Sequence, residues 1–256
     1  MSTPITLDAA QLASYTNEGF LVVENLLTSA EIDSFLAWQK GRPADYEPGL
    51  RSHTTDPNWE YIAKHPNVAG IVAQIMGGTP HILQTMFLPK YAGQSKEDNA
   101  GIALHQDTHY LPTEPNTLTA CWVAMSDTSG ENGGLCVIPG SHKHPLHSTE
   151  QSASDDHISW RMNYDMRDRD GKEWVQEFYS FEIGGIDPDT INRLNVPKGS
   201  GVFFTGMTIH GSYANVSPTK DRLAFATHYI KDGTWCIRAD VQNTVAVTEY
   251  SAPKAG

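Results

Sequence analysis

The apolar positions change their rhythm along the chain. Up to about residue 77 they recur at helical spacing. This predicts helices over residues 8–17 and 28–40, with a short apolar strand, GFLVVENLL, between them. In the second helix Thr28 or Ser29 can cap and Glu31 sits in the first turn. Ile32, Phe35, Leu36 and Trp38 then follow along the segment. A third helix over 66–77 opens on Pro66 and closes on Gly77-Gly78.

From about residue 80 the texture becomes short apolar runs broken by Gly, Pro and Asn. They read HILQTMFLPKY, IALHQDTH, LTACWVAMSD, GLCVIPGS, GSGVFFTGMTIHGSYA and RLAFATHYIK. Short strands separated by turn residues predict a sandwich or barrel. Residues 148–180 interrupt the series. They are polar and acidic, with Trp160, Tyr164 and Trp174 interspersed, and are expected to form an insertion that covers a site. The expected layout is one domain over 1–256. Helices at about 8–77 pack on a mainly β core at about 80–240, which carries the insertion.

Composition narrows the function. The chain of 256 residues has a formal charge of −12 and no basic stripe, which argues against a nucleic-acid partner. It has no run of the ~20 apolar residues that a membrane span needs. Its first residues, MSTPITLDAAQL, do not read as a secretory signal. Cys121, Cys136 and Cys236 are scattered without CxxC spacing, as expected of buried thiols in the cytoplasm.

One stretch stands out chemically. In ALHQDTHYL, strand alternation places His105 and Asp107 on one face and Gln106 on the other. A histidine and a carboxylate converging in this way can share a metal, but they need a third ligand. Among the remaining histidines His210 is the strongest candidate, because it ends the apolar run VFFTGMTIH. Two histidines and one carboxylate leave open positions, the arrangement of non-haem Fe(II) oxygenases. Open positions suit a 2-oxoacid and O2. Twelve residues after His210, Arg222 opens the next strand, and its guanidinium suits the distal carboxylate of 2-oxoglutarate. Ser212 can add a hydrogen bond.

These residues, together with LTACWVAM (118–125), ENGGLCVIPGSHK (131–143) and the run from Val202 to Ile230, resemble the phytanoyl-CoA dioxygenase family of Fe(II)/2-oxoglutarate oxygenases. The resemblance implies a double-stranded β-helix, the jelly-roll or cupin-like core. It implies that His105, Asp107 and His210 hold Fe(II), and that Ser212 and Arg222 hold 2-oxoglutarate, with O2 as the oxidant. It adds Gln84, Trp122 and Thr119 as residues that contact the cosubstrate. It also implies hydroxylation of an unactivated C–H bond, with release of succinate and CO2. His109 and Tyr110 beside the HxD, Arg51 and His53 in GLRSHTTDPNW, and Arg161 and Asn163 in SWRMNYDMRD are the expected substrate contacts. Their polarity favours a small polar or anionic metabolite, such as an amino acid, a zwitterion or an organophosphonate. A metal-dependent hydrolase or isomerase on the same core, or a non-catalytic binding module, is the alternative reading. The cluster His142, His144 and His147 is expected to be a structural loop, since Pro145 breaks any helix that would stack them. Trp38, Tyr46 and Trp59 are expected to pack.

Overall fold

The computed structural model describes residues 4–250 except Ala44, Glu47 and Lys96. Four helices lead the chain: α1 (Ala9–Glu18), α2 (Ser29–Lys40), α3 (Pro57–Ala63) and α4 (Pro66–Met76). Both α1 and α2 begin with reciprocal capping boxes, Asp8 with Gln11 and Thr28 with Glu31. Helix α3 is not among the helices predicted from the apolar spacing. Asp56 caps it by accepting from the Asn58 N–H, and Pro57 sits at its first position.

Strand β1 (Phe20–Val23) lies between α1 and α2, and β2 (Pro80–Lys90) follows α4. The core then runs through β3 (Ile102–His105), β4 (Thr113–Glu114), β5 (Thr119–Ala124) and β6 (Leu135–Val137). The segment after His147 holds β7 (Glu150–Gln151), β8 (Arg161–Arg167), β9 (Glu173–Tyr179) and β10 (Phe181–Glu182). The chain closes with β11 (Asn192–Arg193), β12 (Gly201–Thr205), β13 (His210–Ser212), β14 (Arg222–Lys231), β15 (Trp235–Cys236) and β16 (Val245–Ala246). The expected insertion is therefore not a bare loop, since β8 and β9 form an antiparallel hairpin from Arg161↔Tyr179 to Arg167↔Glu173.

Two antiparallel sheets make the jelly-roll core, one ordered β1-β12-β5-β14-β2-β16 and the other β11-β6-β13-β3. Strand alternation divides the large sheet between two apolar layers. Cys121, Val123, Phe203, Phe225 and Tyr229 face the helices, where they meet Phe35, Trp59, Ile62 and Ile71. Ala120, Trp122, Ala124, Val202, Phe204, Ala224 and Ala226 face the smaller sheet and meet Leu135 and Val137. Trp59 packs its ring 5.0 Å from that of Phe225, as expected of a packing residue.

The pairing of β2 with β14 positions the chemistry. Arg222 lies opposite Lys90, Ala224 opposite Leu88, Ala226 opposite Met86, and His228 opposite Gln84. All eight share the inner face by alternation. The inner ladder thus carries two cations at one end, small and apolar side chains in the middle, and an imidazole with an amide at the other end.

Candidate active site

His105 ends β3, and its direct partner across the ladder is His210 on β13. The two rings lie 4.3 Å apart, centre to centre. Gly211 permits this approach, because a Cβ there would lie 2.7 Å from the Ile102 carbonyl oxygen. Asp107 arrives differently from expectation. The strand stops at His105, and Asp107–His109 form a 3-10 turn in which the Asp107 carbonyl accepts from the N–H groups of Tyr110 and Leu111 at 2.9 and 2.8 Å. This turn, rather than strand alternation, carries the carboxylate beside His105. Gln106 does point away, bonding the Met207 carbonyl and the His147 N–H at 2.7 and 2.9 Å.

Asp107 Oδ1 lies 3.5 Å from His105 Nε2 and 3.7 Å from His210 Nε2. The three ligand atoms fall within 4.8 Å of one another, and all three residues are buried. The backbone sets the tautomers. His105 Nδ1 donates to the Ala103 carbonyl at 2.8 Å, and His210 Nδ1 donates to the Thr208 carbonyl at 3.0 Å. Each Nε2 therefore turns a lone pair toward Asp107, as a metal ligand requires. Burial, only partly offset by Asp107, pulls His210 down to about 4, so its ring is neutral near pH 7. Burial would raise the Asp107 carboxyl. The neighbouring His210 and His228, with the hydrogen bond from His228, more than offset it and hold the carboxyl well below its usual range. Two imidazoles with their Nε2 lone pairs turned inward and a buried carboxylate fit Fe(II).

At the other end of the ladder the site calls for an anion. Arg222 is 2% exposed. It donates to the Leu88 carbonyl at 2.8 Å, while its Nε has no partner. Beside it, Lys90 Nζ donates to Ser212 Oγ at 3.1 Å and to the Tyr213 carbonyl at 2.6 Å. Among the described residues no carboxylate pairs with either basic side chain, although isolated buried charge is strongly unfavourable. Ser212 stands two residues beyond His210, about 7 Å along the strand at ~3.3 Å per residue. A five-carbon diacid spans that distance, so the cradle fits 2-oxoglutarate.

Lys90 was not expected from the sequence. Burial first, and then the neighbouring Arg222, lower it to about 6 in the free protein. A bound dicarboxylate raises that value. Binding of 2-oxoglutarate at pH 7.5 therefore takes up a proton, and affinity weakens as pH rises from the free toward the bound pKa. Calorimetry in two buffers of different ionisation enthalpy should read an uptake approaching one proton in the native chain and none in Lys90→Met. Equal uptake in both would exclude Lys90 from the cradle.

The remaining expected residues divide. Gln84 and Tyr110 line a cavity of about 240 Å³ that also reaches His105 and Asp107. Trp122 is buried between the sheets. Thr119 falls on the opposite face of β5 from Trp122, and its hydroxyl turns to the Thr117 carbonyl at 3.4 Å, so it is not brought to the cradle. His109 is turned out by the 3-10 geometry, with Nε2 donating to the His147 carbonyl at 2.9 Å. His53 is buried against Thr85 on the helix side, at 3.2 Å. Arg51 is tied to the Asn243 carbonyl, and Arg161 pairs with Glu177 at 2.7 Å on the exposed face of the hairpin. Asn163 is exposed. None of these five lines the cavity. The insertion supplies Ile158, Trp160, Tyr164 and Ser180 instead, and Phe181 follows directly after it.

Two residues missed in the sequence complete the wall. His228 Nε2 donates to Asp107 Oδ2 at 3.0 Å. Arg238, 3% exposed, donates to Gln84 Oε1 at 2.9 Å and stacks 4.8 Å over the Tyr164 ring.

Comparison with known proteins agrees with this geometry. Residues 15–224 match the family model described as phytanoyl-CoA dioxygenase (PhyH). The chain is 29% identical over 182 residues to phytanoyl-CoA dioxygenase 1 of Oryza sativa subsp. japonica, a match covering 71% of this chain and 56% of that protein. It is 27% identical over 233 residues to the ectoine dioxygenase of Bordetella parapertussis, covering 83% of this chain and 72% of that one. Among solved structures, the epimerase SnoN in complex with Fe3+, alpha ketoglutarate and nogalamycin RO superposes with a TM-score of 0.68 at 18% identity, over 96% of this chain and 95% of that one. EctD from S. alaskensis with 2-oxoglutarate and 5-hydroxyectoine superposes with a TM-score of 0.60 at 17% identity, over 88% and 76%. The chain belongs to the phytanoyl-CoA dioxygenase family, whose enzymes work with Fe(II), 2-oxoglutarate and O2.

Proposed function

We propose that this chain, acting as one domain, hydroxylates an unactivated C–H bond of a small organic molecule. In the overall reaction R–H, O2 and 2-oxoglutarate give R–OH, succinate and CO2. The observation that carries the reading is the union of a His–Asp–His cluster with a buried basic cradle that lacks a carboxylate partner, the two joined on β13 by His210 and Ser212. His105, Asp107 and His210 would hold the metal, which supplies the activation of O2 that no side chain of the protein can perform. Arg222, Lys90 and Ser212 would bind and orient the distal carboxylate of 2-oxoglutarate. Trp160, Tyr110 and Phe181 keep water from the cavity.

The same walls bear on the substrate. The cavity lining is mostly aromatic and aliphatic, including Leu50, Met86, Ile102 and Leu111. Of the polar residues that favoured an anionic metabolite, only Tyr110 lines it. Arg238 is committed to Gln84, the Tyr110 carbonyl and Asp240. Ser180 Oγ is buried at the cavity with no partner. The fitting substrate is a small molecule with a largely apolar body and one group that hydrogen-bonds Ser180.

An anaerobic titration tests the cofactor half of this reading. Fe(II) followed by 2-oxoglutarate should produce the weak visible charge-transfer band of the chelate. Bound iron with no such band would favour a hydrolase, an isomerase or a binding module.

A further inference from the structure

Asp107 has two carboxylate oxygens, and the structure treats them differently. Oδ1 faces the Nε2 atoms of His105 and His210 at 3.5 and 3.7 Å. Oδ2 is held by His228 Nε2 at 3.0 Å. The hydrogen bonds behind His228 fix its tautomer. Arg238 can only donate, so its Nη2 contact at 2.9 Å makes Gln84 Oε1 an acceptor. The amide nitrogen of Gln84 must then be the atom facing His228 Nδ1, at 3.3 Å, and it donates. Nδ1 is thereby an acceptor, and the ring N–H lies on Nε2, aimed at Asp107. Arg238 anchors the far end. Its Nε donates to Asp240 at 2.7 Å, its Nη1 donates to the Tyr110 carbonyl at 3.2 Å, and its guanidinium covers Tyr164. Gln84, His228 and Arg238 are each 5% exposed or less.

We infer that His228 is a positioning residue for the metal centre, held by Gln84 and Arg238, which keeps Asp107 Oδ2 occupied so that Oδ1 alone is presented beside the two imidazoles. A carboxylate without this brace can rotate and offer both oxygens, closing a position that the 2-oxoacid needs. The brace also ties the cavity wall to a ligand of the metal, by the hydrogen bond from Arg238 to the Tyr110 carbonyl and by its stacking over Tyr164. Outer hydrogen-bond partners of metal ligands typically change metal affinity by about 10–100-fold.

This inference rests on His105, Asp107 and His210 forming the iron site, and the experiment separates the two claims. The dissociation constant for Fe(II) alone is measured anaerobically by chelator competition, and 2-oxoglutarate is then added to each iron-loaded protein. In His228→Phe we expect iron binding about 10–100-fold weaker than in the native chain, with a lower 2-oxoglutarate affinity and an unchanged melting temperature without metal. His228→Gln places an amide N–H where Nε2 stood, and it should recover most of the loss. A purely structural role predicts no such rescue. If His228→Phe does not fold, Gln84→Met carries the test, because it releases the tautomer while leaving the ring in place, and iron binding should again weaken. Iron and 2-oxoglutarate affinities at native level in His228→Phe, or in Gln84→Met where the first variant does not fold, would overturn the brace alone. Failure of the native chain to bind Fe(II) would overturn the site and the brace together.

Discussion

Asp107→Ala should reduce 2-oxoglutarate turnover to background and abolish tight Fe(II) binding. The loss should exceed the roughly 10–100-fold seen when only the surroundings of a ligand are changed. The side chain supplies the only carboxylate in the cluster, beside two histidines. Alanine leaves two imidazoles with no balancing negative charge. His228 also loses the acceptor of its Nε2–H, so the variant carries a buried unpaired donor as well. Succinate release read against chelator-measured iron binding checks both parts. Coupled turnover retained at the native rate would remove Asp107 from the ligand set.

The second large effect belongs to Arg222. Its Nε has no partner and its guanidinium is buried, so burial lowers it to about 10 while leaving it charged at any working pH. Removing one partner of a buried ion pair typically costs about 3–5 kcal/mol, or roughly 150- to 4,000-fold in affinity. Arg222→Met should raise the 2-oxoglutarate requirement by about that factor and leave Fe(II) binding unchanged. The same substitution removes an uncompensated buried charge from the free protein. Without ligand it should therefore melt at a higher temperature than the native chain. A lower melting temperature together with an unchanged 2-oxoglutarate requirement would mean that Arg222 is a structural residue.

Much of this site was legible in the sequence because strand alternation is a strict rule. The spacing from Arg222 through Ala224 and Ala226 to His228 puts all four on one face, and the same reasoning applied to HILQTMFLPK relates Gln84 to Lys90. Lys90 and His228 could have been found by carrying that rule to the ends of both strands. The hairpin carried its own signal in the alternation of Trp160, Met162, Tyr164 and Met166, which polar neighbours obscured. Polar content misled the reading of the cavity, since a hairpin turns Arg161 and Asn163 outward while Trp160 and Tyr164 turn in. Helix α3 was lost because it is only seven residues long, although Asp56 and Pro57 mark its start. Arg238 had no local signal. Its importance comes from contacts with Gln84 and Tyr164, which are distant in sequence.

The inner ladder of β2 and β14 has a consequence for where loss of function arises. The cosubstrate cradle and the brace behind Asp107 depend on one pairing register, and slippage by a single residue would turn both toward the helices at once. That register is secured from the other side, where Phe87 and Phe225 pack their rings 5.8 and 5.4 Å from Phe35. These aromatic residues touch neither the metal ligands nor the cavity, yet they act as the alignment key for both. Damaging substitutions should therefore recur at positions 35, 87 and 225, and in a screen that scores activity alone they would be mistaken for active-site residues.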